Sequence, residues 1–330
     1  MKVTFLKPGM LSTIQDMGRH LYRAQGIPSA GAMDTLSMRL ANLSLGNPSN
    51  AAVIEMTYAD VLIKAETDLL IAYSGTSSVL YVSGKALQDN RPLFIPAGQN
   101  LEFKHQDTGS RTYLAVAGGW DVPTVLGSKS TYLTGKFGGL KGRILKKGDS
   151  LINTNDLTEV NAYLLSRLKS SQINFTNWSI HKEHFSPPDK NIIRIVPGNE
   201  FTWFRADSLL NFLSSTYTLG RNADRMGYHF AGPPLMRSLQ TELLSTGVVP
   251  GTLQVTHNGS LVLLMADGQT TGGYPRIGQV AQIDLPLCAQ LKPGDSIQFS
   301  AISRTEAEKL YLKREYELRK LAIAIHMILK

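Results

Sequence analysis

A chain of 330 residues is too long for one ordinary core and suits two domains of about 150 residues, each able to bury most of its apolar surface. Its single cysteine, Cys288, excludes a disulfide scaffold, and no stretch approaches the roughly 18 apolar residues needed to cross a membrane. The net charge of +8 is spread thinly: 16 Lys/Arg stand against 11 Asp/Glu over residues 1–155, 11 against 11 over 156–303, and 7 against 4 over 304–330. No basic run or interleaving with aromatics appears, so the charge argues against a nucleic-acid partner and for a mild preference for small anions. The opening MKVTFLKPGMLSTIQD lacks the apolar centre of a signal peptide, which makes the cytoplasm the expected location, with no membrane partner.

In chain order, the first chemically loaded segment is residues 13–34, TIQDMGRHLYRAQGIPSAGAMD, which sets Gln15, Asp16, Arg19, Arg23 and Asp34 among glycines. A carboxylate and a guanidinium this close either pair with each other and shape the loop, or place a charged substrate through the fork of the guanidinium. Both readings stand at this point. Residues 35–45 then follow a helical period, with Leu36, Leu40, Ala41 and Leu43 on one face. Short apolar runs come next, VLIKA, LLIAYSG, VLYVSG, LFIPAG and TYLAVAGG, each stopped by turn residues, as in an all-β domain. The glycine-rich stretch 118–143 does not fit a phosphate-binding P-loop, because Lys136 is followed by Phe137 where Ser or Thr is required.

Residues 156–190 are polar and end in FSPPDKN, which predicts a linker. The His181 and His184 pair within it lacks a third ligand nearby and reads as solvated surface; no metal site is expected in the chain. The second half brings a helical stretch at 205–212, the strand-like LVLLMADG, and two further glycine-rich segments, DRMGYHF (224–230) and DGQTTGGYPRIG (267–278). Paired glycines allow close backbone approach, and successive amides can cradle a carboxylate or a developing oxyanion. Cys288, in DLPLCAQL, reads as a packed thiol.

The halves echo each other. LKKGDSLI (145–152) matches LKPGDSIQF (291–299), and YLAVAGG (113–119) matches LLMADG (263–268), at offsets of 146 and 149 residues, which predicts a tandem repeat of one β domain. From residue 304 the period turns helical, with Ser303 and Glu306 in capping-box spacing. The expected organisation is therefore a first β domain over 1–155, a linker over 156–190, a second β domain over 191–303 and an amphipathic helix over 304–330. No Ser-His-Asp pattern or nucleophile elbow is present, which argues against a self-contained hydrolase.

Taken together, TIQDMGRHLYRAQGIPSAGAMD, LANLSLGN, GGWDVPTVLGSKSTYL, GGLKGR, DRMGY, STGVVPGTLQV and MADGQTTGGYP resemble the family described as biotin-dependent carboxyltransferase or allophanate hydrolase subunit 2, which includes KipA and the C subunit of bacterial 5-oxoprolinase. The match runs in order from about residue 3 to residue 303. The resemblance implies a mainly β fold of two tandem cyclophilin-like β-barrel domains with a few short helices. It implies obligate partners, a KipI-like B subunit and a LamB/YcsF-like A subunit, with which the chain would hydrolyse 5-oxo-L-proline to L-glutamate. ATP would be a co-substrate of that complex, and no biotin is attached to this chain, which lacks a biotinyl-lysine motif.

Under this reading Asp16, Arg19 and Asp34 are the candidate catalytic residues. Gln15, Arg225, Gln254, Gln269, Thr270, Thr271 and Tyr274 are the candidate substrate-binding ones. Three positions depart from the family's usual pattern: Gly268 and His229 stand where arginine is common, and Thr246 where glutamate is common. Two other functions remain open, the carboxyltransferase component of a urea-type biotin-dependent carboxylase and a non-catalytic KipA-like regulator that captures a KipI-like kinase inhibitor.

Overall fold

Every apolar run singled out above forms or adjoins a strand. The computed structural model describes residues 1–239 and 241–327. The first part of the chain contains β1 (Lys2–Lys7), β2 (Leu11–Gln15), helix α1 (Thr35–Ser44), β3 (Val53–Thr57), β4 (Val61–Ala65), β5 (Leu69–Gly75), β6 (Ser78–Val82), β7 (Lys85–Leu87), β8 (Leu93–Ile95), β9 (Asn100–His105), β10 (Arg111–Val116) and β11 (Ser150–Ile152). Helix α2 (Glu159–Leu168) and β12 (Asn174–Phe175) follow. These strands make two six-stranded sheets, ordered β11-β1-β4-β9-β6-β7 and β12-β8-β5-β10-β3-β2. Alternate side chains of both sheets, among them Val3, Phe5, Ile63, Phe103, Ile71 and Leu114, form one buried apolar cluster that Trp120 joins from the loop after β10.

The later part contains β13 (Ile192–Pro197), α3 (Ala206–Ser214), β14 (Thr216–Ala223), β15 (Gly227–Ala231), β16 (Thr246–Gly247), β17 (Thr252–Val255), β18 (Leu261–Leu264), β19 (Thr271–Gly272), β20 (Arg276–Val280), α4 (Leu285–Gln290), β21 (Ser296–Ala301) and α5 (Arg304–His326). Seven of its strands close a barrel in the order β13-β20-β17-β18-β15-β14-β21, and β16 pairs with β19 as a separate ribbon. Closure comes from the parallel pairing of β13 with β21, which removes the free edges. The barrel is filled by Ile193, Tyr217, Leu219, Tyr228, Phe230, Leu253, Leu263 and Phe299.

The fold is thus mainly β, with the closed barrel in the second half and a pair of sheets in the first. The turns matched between the two halves agree at the level of single bonds. Asp149 N donates to Lys146 O at 3.0 Å and Asp295 N to Lys292 O at 2.9 Å, while each aspartate side chain accepts from the same lysine's N–H, at 2.7 and 2.9 Å. The second matched pair shares its turn as well: Gly119 N donates to Val116 O and Gly268 N to Met265 O.

The chain divides into two contact units in a way that sequence order does not suggest. The first comprises Met1–Arg19, Asp34–Phe185 and Tyr316–Lys330, the second His20–Met33 and Ser186–Glu315. Residues 20–33, placed with the first domain by sequence, join the second unit because their partners lie far along the chain. Ala30 N donates to Ala266 O, and the Arg23 guanidinium donates to Ser29 Oγ and Val248 O.

The stretch expected as a linker, 156–190, belongs to the first unit up to Phe185 and to the second from Ser186. Its polarity misleads because Asn161 faces inward. Its amide donates to Leu45 O and Asn47 Oδ1, while Thr158 caps α2 and donates to Gly46 O. A buried polar side chain with partners is as structural as an apolar one. The tail is helical as expected, with Glu306 N donating to Ser303 Oγ at 3.1 Å, and residues 328–330 of the expected helix lie outside the described residues. No helix among the described residues is long and apolar enough to cross a membrane.

Cys288 is fully buried in α4, and burial, with the nearby Asp284 second, pushes its thiol well above the usual range. The thiolate is the reacting species, so native protein at pH 8 is expected to resist iodoacetamide over hours and to be alkylated fully in urea, as read by intact mass.

Candidate functional site

Strand β2 delivers Gln15 and Asp16 into the interior of the first unit. The Asp16 carboxylate is saturated there: Oδ1 accepts from Gly18 N (2.8 Å), Ser128 Oγ (2.6 Å) and Ser130 Oγ (2.5 Å), and Oδ2 from Lys129 N (2.6 Å). Arg19, 1% exposed, donates to Ser130 O at 2.5 Å and lies over the Phe137 ring at 4.9 Å. Gln15 Nε2 donates to Thr13 Oγ1 and Thr131 O. Gly138, at φ +72°, lets the returning chain lie against this loop, since a Cβ there would sit 2.0 Å from Ser130 O.

The structure therefore gives Asp16 and Arg19 a shared task, the fixing of loop 128–131. A carboxylate accepting four hydrogen bonds from one loop and its flank is a strong, directional anchor for that loop.

Asp34 is fully buried as the N-cap of α1. Its Oδ1 accepts from Ser37 N (2.8 Å), and its Oδ2 from Ser37 Oγ (2.5 Å) and Lys182 Nζ (3.4 Å). Its backbone N–H donates to the Tyr113 hydroxyl, which donates in turn to Glu55 Oε2 at 2.8 Å. Burial, and then the Glu55 and Asp34 carboxylates, push the Tyr113 phenol well above its ordinary value. Asp34 thus starts a helix and anchors a buried polar chain, which also accounts for Lys182 in the sequence HKEH. Of the two histidines there, His184 approaches Glu317 at 3.6 Å, and no group of three His, Cys, Asp or Glu side chains able to hold a metal occurs among the described residues.

In the second unit the two glycine-rich motifs are tied together. Arg225, 4% exposed, makes a two-pronged pair with Asp267, Nε to Oδ2 at 2.9 Å and NH2 to Oδ1 at 2.8 Å, and also donates to Gly31 O. One guanidinium so joins DRMGYHF, DGQTTGGYP and the segment 20–33.

Gln254 is buried on β17 beneath the loop that follows. Its Nε2 donates to Tyr274 O at 3.3 Å and its Oε1 faces Gln269 Nε2 at 3.5 Å. The loop lies this close because residue 272 is glycine: a Cβ would come 2.6 Å from Gln254 Nε2. Above that bed Gln269, Thr271 and Tyr274 are exposed, and Tyr274 meets His257 edge-on at 5.4 Å; Thr270 is buried and its carbonyl accepts from Val248 N.

Sequence reasoning passed over Arg276 and Glu200, which pair through two hydrogen bonds of 2.7 Å, from Nε and NH2, and brace the same loop from its far end. Burial alone would raise the Glu200 carboxyl, but the Arg276 hydrogen bonds outweigh it and hold the group below its usual range.

An open cavity of about 500 Å³ lies on the outer wall of the barrel, lined by Arg221, Asn222, Asp224, Met226, His229, Val262, Leu264 and Gln269. Of these, only Gln269 was singled out from sequence as a binding residue. The strand pattern is the reason. A register shift between Leu219 and Ala223 breaks the alternation in β14 just where Arg221 and Asn222 stand.

Two of the three departures from the family pattern meet here, His229 in the wall and Gly268 beside Gln269. Gly268 is built into the backbone, since a Cβ there would lie 2.9 Å from Met226 O and 3.1 Å from Met265 O. The third, Thr246, opens β16, and its buried hydroxyl oxygen has no partner among the described residues.

Comparison with known proteins matches residues 25–301 to the family model described as carboxyltransferase domain, subdomain A and B. The C subunit of 5-oxoprolinase from Escherichia coli K12 is 38% identical over 97% of this chain and 98% of its own length. That of Haemophilus influenzae is 35% identical over 93% of each chain. Among solved structures, the urea carboxylase of Kluyveromyces lactis superposes with a TM-score of 0.86 at 28% identity, covering 97% of this chain and 29% of that one.

Proposed function

The chain belongs to the carboxyltransferase domain family, subdomains A and B, and from that membership we propose that it is the C subunit of a multi-subunit 5-oxoprolinase, which opens 5-oxo-L-proline to L-glutamate with cleavage of ATP. The observation that carries this reading is end-to-end likeness to proteins named as the C subunit of 5-oxoprolinase, at 38% identity and with 98% of the relative's length accounted for. A relative matched over its whole length shares its architecture, whereas one matched over a fraction shares only a domain.

The chemistry supports a division of labour. A lactam is resonance-stabilised, and its opening is helped when ATP activates the amide oxygen while donors hold the charge that develops as water attacks. Asp16, Arg19 and Arg225 hold loops in this chain, so its contribution is a rigid, hydrogen-bonded frame that presents Gln269, Thr271 and Tyr274. The partners that fit are a KipI-like B subunit and a LamB/YcsF-like A subunit.

Co-expression with both partners is expected to yield a complex that releases glutamate from 5-oxoproline only when ATP is present. Assembly without turnover would point instead to a regulator. The fold shared with Kluyveromyces lactis urea carboxylase favours one second reading, a carboxyltransferase component, and carboxylation that depends on a separate biotinylated protein would establish it.

A further inference from the structure

We propose that the cavity on the outer wall of the barrel binds a small molecule carrying a carboxylate next to an N–H group, a class that includes 5-oxoproline and glutamate. The choice of these two as ligands rests on the 5-oxoprolinase reading, while the chemical class rests on the lining itself.

Five arginines of the second unit face a carboxylate: Arg194 faces Asp284, Arg205 faces Asp207, Arg225 faces Asp267, Arg276 faces Glu200 and Arg304 faces Glu308. Arg221 forms no ion pair among the described residues, and it stands in the cavity wall. A guanidinium in a concave site, with Asn222 beside it, is suited to fork onto a carboxylate.

Asp224 sets the second requirement. Its Oδ1 accepts from Met226 N (2.7 Å) and Gly227 N (3.1 Å), and its Oδ2 makes no bond among the described residues. A negative oxygen in the same cavity repels a multiply charged anion such as phosphate and attracts an N–H donor. Gln269 and His229 supply polar contacts for a carbonyl, and Val262, Leu264 and Met226 an apolar wall for methylene groups. The volume of about 500 Å³ falls within the range of small-molecule sites.

The motifs explain how the wall is held. Arg225 and Asp267 fasten the hairpin that carries Asp224 to the loop that carries Gln269, so both sides of the cavity are fixed before a ligand arrives. The β14 register shift falls at Arg221, in the cavity wall.

The test is an NMR titration of the full chain labelled at its histidine rings with 5-oxo-L-proline, L-glutamate, acetate and inorganic phosphate. A saturable shift of the His229 signals by 5-oxoproline or glutamate is expected, at concentrations at least tenfold below those needed with acetate or phosphate, and His20 and His257 should stay still. Arg221→Met should weaken the response tenfold or more, and Val262→Trp, which fills the cavity from an outward-facing strand position, should abolish it. Unchanged thermal melting would show that both variants fold. An equal response to acetate or phosphate, no His229 response to either 5-oxoproline or glutamate, or full retention in both variants overturns the proposal. Turnover by the assembled complex is scored separately: an inactive complex defeats the functional reading and leaves the titration to decide the cavity.

Discussion

Arg225→Met is expected to destabilise the second unit by about 3–5 kcal/mol, the usual cost of removing one partner from a buried ion pair. Asp267 would be left 4% exposed with a charge that, among the described residues, Arg225 alone neutralises at bonding distance, and the Gly31 carbonyl would lose a donor. Methionine keeps much of the arginine stem's volume, so a cavity term contributes little. The double variant Arg225→Met/Asp267→Leu is expected to recover most of the loss, because an apolar pair of similar size escapes the desolvation penalty. Denaturant unfolding followed by hydrogen exchange of peptides from β14, β15 and the 20–33 segment measures this. Equal stability of wild type and Arg225→Met would show that the pair does not hold these segments together.

Asp16→Ala is expected to cost the first unit a similar amount, about 3–5 kcal/mol, since four donors lose their acceptor at once and each buried unsatisfied group costs about 1–3 kcal/mol before water relieves part of it. Asp16→Asn separates the structural role from a chemical one. It retains one acceptor oxygen and turns an N–H₂ toward a former donor, so about 1–3 kcal/mol is lost while the loop stays in place. With Asp16 as a positioning residue, the asparagine variant keeps measurable turnover in the complex and the alanine variant loses both turnover and protection of loop 128–131. A stable, fully folded Asp16→Asn complex with no turnover would instead make Asp16 the base.

The contrast between these two residues and the cavity shows which side chains sequence can and cannot interpret. Asp16, Arg19, Asp34 and Arg225 stand out in sequence because charge beside glycine is conspicuous, and each makes internal bonds that hold a loop or a helix start. Conspicuous residues in tight loops often hold the loop, since Asp and Arg supply several strong, directional bonds. Arg221 is unremarkable in sequence, lying in a strand-like run, and becomes a candidate only because the ladder slips beside it.

The amino-acid sequence by itself determined the strands that its apolar runs mark (β4, β5, β6, β8, β10 and β18), α1, α3, the tail helix, the tandem Gly-Asp turns and the family, all of which depend on contacts within a few residues or on long motifs. Only the tertiary structure decided that the barrel closes through parallel pairing of β13 with β21 and that residues 20–33 belong with the second unit. It alone decided, too, that the polar stretch after residue 156 is packed and that Arg225 meets Asp267. Those outcomes join residues tens to hundreds of positions apart. Which distant donor satisfies a buried acceptor is settled by the global geometry, which local pattern does not encode.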